Sequence, residues 1–283
     1  MNSHLKSFIN KVPYLQEFMR IRERKKRATG YYKPKIKLIN DWAKKKTEFS
    51  NYYYDLSESN RSDLASVICA ITETPFKQVE ALFDELENNE SLRAHISNSW
   101  AKDPMMSDAK LGYGRRVGWY AFIRILKPKI VVETGVHHGV GSCVITTALS
   151  KNAEDGFAGQ YFGTDIDKSA GKLLIQPYSK FGKILYGDSI ESLKQLTDSV
   201  DIFINDSDHS GEYEKLEYKT INAKLSKKAL ILGDNSHATN SLRVFSQATS
   251  RNFIFFKEIP KEHWYPGAGI GISFSKPAVP ESN

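Results

Sequence analysis

The chain has 283 residues, of which 40% are hydrophobic and 12% aromatic, and this composition excludes a fibrous or disordered protein. Two cysteines, Cys69 and Cys143, are too few for a disulfide framework, and neither a signal-peptide core nor a run of roughly 20 apolar residues is present. We therefore expect a cytoplasmic protein with buried thiols and no transmembrane segment, whose net charge of +7 comes from its N-terminal part.

Residues 1–112 are predicted to form a helical N-terminal region that is most basic at residues 20–46. Residues 1–50 hold 14 Lys and Arg against 4 Asp and Glu, and the run RIRERKKRATGYYKPKIK interleaves cationic and aromatic side chains. Such a run is typical of segments that bind nucleic acid or an anionic membrane surface. It is also typical of a solvated helix with a loop after it, which is the interpretation that we favour.

Two further helices are predicted in this region. In TETPFKQVEALFDELENN, Thr74 is the predicted N-cap and Pro75 the first helical residue. In SDLASVICAIT, the predicted N-cap is Ser62 or Asp63. Apolar side chains at helical spacing are the predicted core positions of the two helices: Leu64, Val67, Ile68, Ile71, Phe76, Val79, Leu82, Phe83 and Leu86.

From residue 113 onward, short apolar strands alternate with helical segments. The predicted strands lie in KIVVET, GQYFGTDID, KILYGDS, VDIFINDSDHS and KKALILGDNSH, and NFIFFKEI and GAGIGISF are predicted to form a terminal antiparallel pair. This alternation predicts an α/β fold, a doubly wound sheet with helices on both faces. In such sheets, ligands bind beyond the carboxyl ends of the strands.

Acidic residues follow the strands systematically. Glu133, Asp165, Asp206 and Asp234 end four of them, and Asp188 follows a fifth. The glycines after the first strand are spaced G-x-x-x-G-x-G, which is neither the dinucleotide fingerprint nor a phosphate loop.

Three of these acids predict the ligand. Glu133 suits a cationic amine, Asp165 is placed to accept hydrogen bonds from ribose hydroxyls, and Asp188 is placed to accept one from an adenine amine. A ligand with an ammonium group, a ribose, an adenine and no phosphate is S-adenosylmethionine (SAM).

The five strand segments, in this order and spacing, resemble the class I SAM-dependent methyltransferases over about residues 113–274. The resemblance implies a Rossmann-like seven-stranded sheet of order 3-2-1-4-5-7-6, with residues 113–283 as the SAM-binding domain. It implies a lid or a homo-oligomer contact for residues 1–112. The cofactor-binding residues that it implies are Glu133, Gly135, Gly139 and Ser142 for the methionine side, Asp165 for the ribose, and Asp188 and Ser189 for the adenine.

The ends of the fourth and fifth strands predict a metal site. Asp206, Asp234 and Asn235 offer oxygen ligands of the kind that Mg²⁺ or a similar divalent cation prefers. The pattern resembles the metal-dependent catechol and caffeoyl-CoA O-methyltransferases, in which a Lys follows the first Asp by three positions. Here that position is His209, and the D-x-x-H form resembles the macrolide-sugar O-methyltransferases, which implies that His209 is the general base.

These patterns lead to one main hypothesis and three alternatives. The main hypothesis is a divalent-metal-dependent O-methyltransferase acting on a hydroxyl of a sugar, a glycan-like molecule or another natural product. The alternatives are a phenolic O-methyltransferase, an RNA-directed methyltransferase guided by the basic region, and an iron site made by Asp206, His209 and His237. No stable nucleic-acid partner is expected, because NDSDH lacks the aromatic residue that usually marks a target-base pocket.

Overall fold

The computed structural model describes residues 13–45, 52–104, 106, 109–234 and 236–275. They form two compact units: residues 13–45 with 262–264, and residues 52–261 with 265–275. The predicted domain boundary at residues 112 and 113 lies inside the second unit and stays a prediction.

The first unit is built on one long helix, α1, from Pro13 to Trp42. None of its residues is buried, so the basic run lies on a solvated helix. The helix also contains the segment around Pro34 that was predicted to be a loop. Within this unit the Trp42 ring lies 4.8 Å from the Trp264 ring, and Lys35 Nζ donates a hydrogen bond to the His263 carbonyl.

The second unit begins with three helices, α2 (Glu58–Thr72), α3 (Phe76–Glu87) and α4 (Glu90–Trp100). Both predicted N-caps are wrong. Helix α2 starts earlier, because the Ser57 side chain accepts the Asn60 N–H at 3.4 Å. Pro75 precedes α3 instead of starting it, and the Thr74 hydroxyl accepts a hydrogen bond from Thr72.

A seven-stranded sheet with order β3-β2-β1-β4-β5-β7-β6 follows, and the predicted fold is confirmed. Strand β7 is antiparallel to β5 and β6, and the other pairs are parallel. The strands are β1 (Ile130–Thr134), β2 (Gln160–Asp165), β3 (Gly182–Tyr186), β4 (Val200–Asn205), β5 (Leu225–Asp234), β6 (Asn252–Lys257) and β7 (Gly269–Phe274). The helices are α5 (Arg116–Leu126), α6 (Val140–Glu154), α7 (Ser189–Gln195), α8 (Gly211–Asn222) and α9 (Ser241–Ala248).

The central strands are apolar on both faces because helices cover both faces of the sheet. Successive side chains of a strand point to opposite faces. Val131 accordingly belongs to one hydrophobic core and Val132 to the other, and Ile202 and Phe203 divide in the same way. Of the two predicted buried thiols, Cys143 is buried and Cys69 is half-buried.

The strand register brings the predicted site residues to one edge of the sheet. Thr134 of β1 pairs with Thr164 of β2 and with Asn205 of β4, and Asn205 pairs with Gly233 of β5. The residues after these positions, including Asp165, therefore lie side by side. Among the described helices, none is long and apolar enough to cross a membrane.

Candidate active site

The turn after β1 is held tightly against the end of β4. The Asp206 N–H donates to the Thr134 carbonyl at 2.8 Å, and the Gly135 N–H donates to the Thr164 carbonyl at 2.9 Å. Gly135 has φ 83°, and a Cβ on it would lie 2.0 Å from the Asp206 carbonyl oxygen. Only glycine satisfies both conditions, so this predicted cofactor residue shapes the edge of the site through its backbone.

Glu133 is a buried carboxylate, with only 2% of its surface exposed. Its Oε2 accepts hydrogen bonds from the Tyr161 hydroxyl and, at 3.3 Å, from the Ser142 hydroxyl. Burial raises the pKa of Glu133 to about 7 against the lowering effect of these hydrogen bonds. Ser142 is itself fully buried behind Glu133, so its contact is with that carboxylate and not with the cleft.

Asp165 braces the turn after β1. Its Oδ2 accepts the N–H groups of Val136 and His137 at 3.0 and 2.9 Å, and its Oδ1 accepts the Asp167 N–H at 2.9 Å. A carboxylate has about four acceptor positions, so Asp165 keeps capacity for a further donor.

Asp188 and Ser189 lie at the start of α7. The Asp188 side chain caps this helix by accepting the Ile190 N–H at 2.8 Å. It also accepts a hydrogen bond from the Tyr213 hydroxyl at 3.2 Å. The Ser189 hydroxyl is bonded to Glu217 and lies 2.9 Å from the same tyrosine hydroxyl.

Two clefts meet at this edge of the sheet. The larger, of about 700 Å³, brings together Gly135, Asp165, Asp188, Ser189 and Asp206 of the predicted residues. The smaller, of about 270 Å³, is lined by Glu133, Gly135, Asp206, His209 and Asp234 of the predicted residues. Because Gly135 and Asp206 line both, the clefts adjoin each other, whereas Gly139 and Ser142 line neither.

Asp206, His209 and Asp234 form a cluster in which one possible ligand atom from each lies within 4.8 Å of the others. Burial, and next the nearby Asp234 carboxylate, raise the pKa of Asp206 well above its usual range. Asp234 is 1% exposed and forms an ion pair with the buried Arg115. Asn235, the third predicted ligand, lies outside the described residues.

His209 is held between two acids. Its Nε2 lies 3.8 Å from Asp206 Oδ1, and its Nδ1 lies 3.9 Å from Glu214 Oε1. The neighbouring Glu214 carboxylate is the main reason why the pKa of His209 is raised. Asp208, which lies between Asp206 and His209 in the chain, is exposed and accepts the Ser210 N–H. His237 is not part of the cluster, so among the described residues the two-histidine iron set is not assembled.

Five residues of this site were not predicted from the sequence: Arg115, Arg116, Tyr161, Tyr213 and Glu214. The pair Arg115 and Arg116 does leave a signal, since two cations directly precede the apolar run VGWYAFIRIL. When that run packs into the core, the side chains of Arg115 and Arg116 are buried with it. Tyr161, Tyr213 and Glu214 leave none, because their partners come from other elements.

Residues 132–236 match the family model described as a methyltransferase domain. The matched segment runs from β1 to just beyond β5 and includes all five strand-end acids. The chain carries a methyltransferase domain. Together with the observed strand order, the match confirms the resemblance to the class I SAM-dependent methyltransferases.

Solved structures give low-identity matches to this methyltransferase. An O-methyltransferase from Bacillus cereus in complex with SAH is 10% identical, with TM-score 0.47, and the match covers 77% of this chain and 99% of that one. An SAH-bound methyltransferase from Podospora anserina is 14% identical, with TM-score 0.49 and coverages of 72% and 98%. The SAM-bound O-methyltransferase TomG from Streptomyces achromogenes, involved in tomaymycin synthesis, is 11% identical, with TM-score 0.49 and coverages of 66% and 89%.

Identities and TM-scores this low carry no conclusion about what this chain binds or methylates. The comparison with curated proteins found no matching sequence.

Proposed function

We propose that this methyltransferase transfers the methyl group of SAM to a hydroxyl oxygen of a sugar, a glycan-like molecule or another small natural product. The observation that carries the proposal is that the two clefts adjoin and share Gly135 and Asp206 in their walls. The larger has acids placed for a nucleoside, and the smaller joins it at Asp206 and holds His209. An acceptor in the smaller cleft therefore lies next to a cofactor in the larger one.

The larger cleft fits the adenosine part of SAM. Asp165 has acceptor capacity for ribose hydroxyls, and Asp188 lies at the cleft wall for the adenine amine. The absence of a side chain on Gly135 lets the Asp206 backbone pack directly against the turn after β1, where the two clefts adjoin. In the smaller cleft, Glu133 is a buried carboxylate whose pKa of about 7 would be lowered by a bound ammonium group. When bound, SAM supplies an electrophilic methyl group.

His209 is the proposed general base. A base must lie within hydrogen-bond reach of the proton that it removes, and its ring must be held in orientation. Glu214, itself buried, holds the ring beside the cleft that would contain the acceptor. In this role His209 would accept the hydroxyl proton as the acceptor oxygen takes the methyl group, and the bond from that carbon to the sulfonium sulfur would break to leave SAH.

A divalent cation fits the cluster of Asp206 and Asp234. Two carboxylates lie close together, and burial and then the neighbouring Asp234 carboxylate raise the pKa of Asp206. Arg115 supplies one positive charge but is shared with Glu258, whose Oε2 lies 3.5 Å from its Nη1. Mg²⁺ or a similar ion would be held by Asp206 and Asp234, with Asn235 as a further proposed ligand. It would lower the pKa of an acceptor hydroxyl.

The test is methyl transfer from isotopically labelled SAM to a panel of sugars, natural-product glycosides and catechols, with Mg²⁺ and with a chelator. We expect labelled product from a sugar or glycoside hydroxyl only when Mg²⁺ is present. Labelled catechols alone would support the phenolic alternative, and full activity with the chelator would contradict the metal. No labelled product with any acceptor, although SAM binds, would contradict the proposed acceptor classes.

A further inference from the structure

Arg116 is a buried cation in the wall of the smaller cleft. It is 8% exposed and is the first residue of α5. Its Nη1 donates to the Tyr52 carbonyl at 3.0 Å, whereas its Nε is buried with no hydrogen-bond partner. Among the described residues, no carboxylate lies within ion-pair distance of it, although Arg116 lowers the pKa of Glu133 and of Asp206 from farther away.

The neighbouring Arg115, by contrast, is a buried cation that has counter-ions. It pairs with the buried carboxylates of Asp234 and Glu258. Arg116 instead has aromatic neighbours, with its guanidinium carbon 5.6 Å from the Trp119 ring and 5.8 Å from the Tyr53 ring. Such rings hold a guanidinium in place but do not replace an anion, and a buried charge without a partner is costly.

The unused edge of the guanidinium has the right shape for a carboxylate. With Nη1 engaged by the Tyr52 carbonyl, Nε and Nη2 remain, and these two form one edge of the group. An arginine edge binds a carboxylate through two parallel hydrogen bonds. The missing partner of Arg116 is therefore a carboxylate from a ligand in the smaller cleft.

Glu133 lines the same cleft, so the cleft offers one buried anion and one buried cation. The methionyl end of SAM carries an ammonium and a carboxylate on the same carbon, and this pair of groups matches that pair of residues. An acceptor that carries an acid group, such as a uronic acid, would also supply a carboxylate here.

We propose that Arg116 binds a ligand carboxylate in the smaller cleft, supplied by the methionyl group of SAM or by an acidic acceptor. The proposal rests on the proposed function, because it needs SAM and its acceptor in these clefts. Arg116 is in either case a binding residue that selects for a carboxylate, and substituting it changes the preference for ligands that carry one.

The experiment is calorimetric titration of wild type and Arg116→Gln with four probes. The first pair, SAM and decarboxylated SAM, differs only in the methionyl carboxylate. The second pair, methyl glucuronide and methyl glucoside, differs in a carboxylate on the acceptor and is titrated into protein saturated with SAH. In at least one pair, wild type is expected to bind the probe with the carboxylate about tenfold or more tightly than the probe without it. Arg116→Gln is expected to reduce that preference to nearly one, and Arg116→Lys to restore part of it.

The affected pair of probes identifies the source of the carboxylate. The matched control is Arg243→Gln, which removes an exposed arginine from α9 and should change neither preference. Unchanged preferences in Arg116→Gln overturn the proposal. If that variant does not fold, wild type alone decides, since equal affinities within both pairs also overturn it. Absence of SAM binding by wild type overturns the proposed function instead, and the glucuronide pair, titrated into the protein without SAH, then decides the role of Arg116.

Discussion

His209 and Glu133 show how burial and neighbours give single residues their chemistry. His209 is oriented by Glu214, a residue of another element, and Glu133 is kept from water by Tyr161 and Ser142. Neither neighbour follows from the spacing of the motif. The sequence predicts which residues reach the strand ends, but it does not predict which partners surround them.

Substitution His209→Ala is predicted to lower kcat by a factor of about 10² to 10⁴, because it removes the proposed base. The affinity for SAM is predicted to stay within a factor of about two, since His209 lies against Asp206 and Glu214 and is not among the residues proposed to bind SAM. Single-turnover kinetics and calorimetric titration of SAM measure the two quantities. His237→Ala, at an exposed histidine, is the control. Lost SAM binding in His209→Ala would assign His209 to the cofactor.

The affinity for SAM is predicted to fall as the pH is lowered through 7. Burial raises the pKa of Glu133 to about 7, so below that pH Glu133 is protonated and no longer pairs with an ammonium group. Titrations between about pH 5.5 and 7.5 keep the ligand amine charged. Glu133→Gln is predicted to bind about tenfold more weakly at pH 7.5 and to lose this pH dependence. An identical pH profile in the variant would show that another group titrates.

At the scale of the elements, local packing determines the conformation of the turn after β1 and the residue at which α2 starts. The sequence predicts the turn correctly because its glycines follow an apolar strand. It does not predict the start of α2, because the apolar spacing begins at Leu64, after the helix has already started at Glu58. The cap at Ser57 leaves no apolar signal of its own.

Gly135→Ala is predicted to destabilise the protein and to weaken SAM binding, because the new Cβ would overlap the Asp206 carbonyl. Gly156 is the matched control: its φ of 89° is also positive, but nothing lies within 4 Å of a Cβ there. Gly135→Ala should cost about 1–3 kcal/mol more than Gly156→Ala in the free energy of unfolding. Denaturant titration measures this difference, and equal costs would mean that the close approach to Asp206 is not rigid.

Ser57→Ala is predicted to destabilise the second unit by about 0.5–1 kcal/mol, at the low end for an N-cap because the hydrogen bond is 3.4 Å long. Ser62→Ala, at the position that the sequence suggests as a cap, should cost less, since Ser62 lies within the helix. Denaturant midpoints of the two variants test the order. A larger loss of unfolding free energy in Ser62→Ala than in Ser57→Ala would mean that the stable part of α2 begins near Ser62.

At the scale of the whole molecule, the sequence predicts the fold better than it predicts the site. The seven strands are visible as apolar runs, five of which end in or are followed by an acid, and their order follows from the methyltransferase resemblance. The ion pair of Arg115 with Asp234 joins residues 119 positions apart, and no local pattern reports it. Buried charges of this kind are paired by the packing of distant elements.

The charge of the molecule is also divided. The solvated helix α1 carries most of the basic run, whereas acids surround the clefts of the second unit. Homo-oligomerisation through the N-terminal helices, the absence of a stable nucleic-acid partner and a cytoplasmic location stay predictions.

The central claim, that the two adjoining clefts bind SAM beside an acceptor site, is tested most directly by calorimetric titration of SAM into the pure protein. We predict saturable binding of one SAM per chain, weakened in Asp165→Asn, whose substituted amide accepts fewer hydrogen bonds than the carboxylate. Absence of SAM binding by the folded wild-type protein would contradict the account.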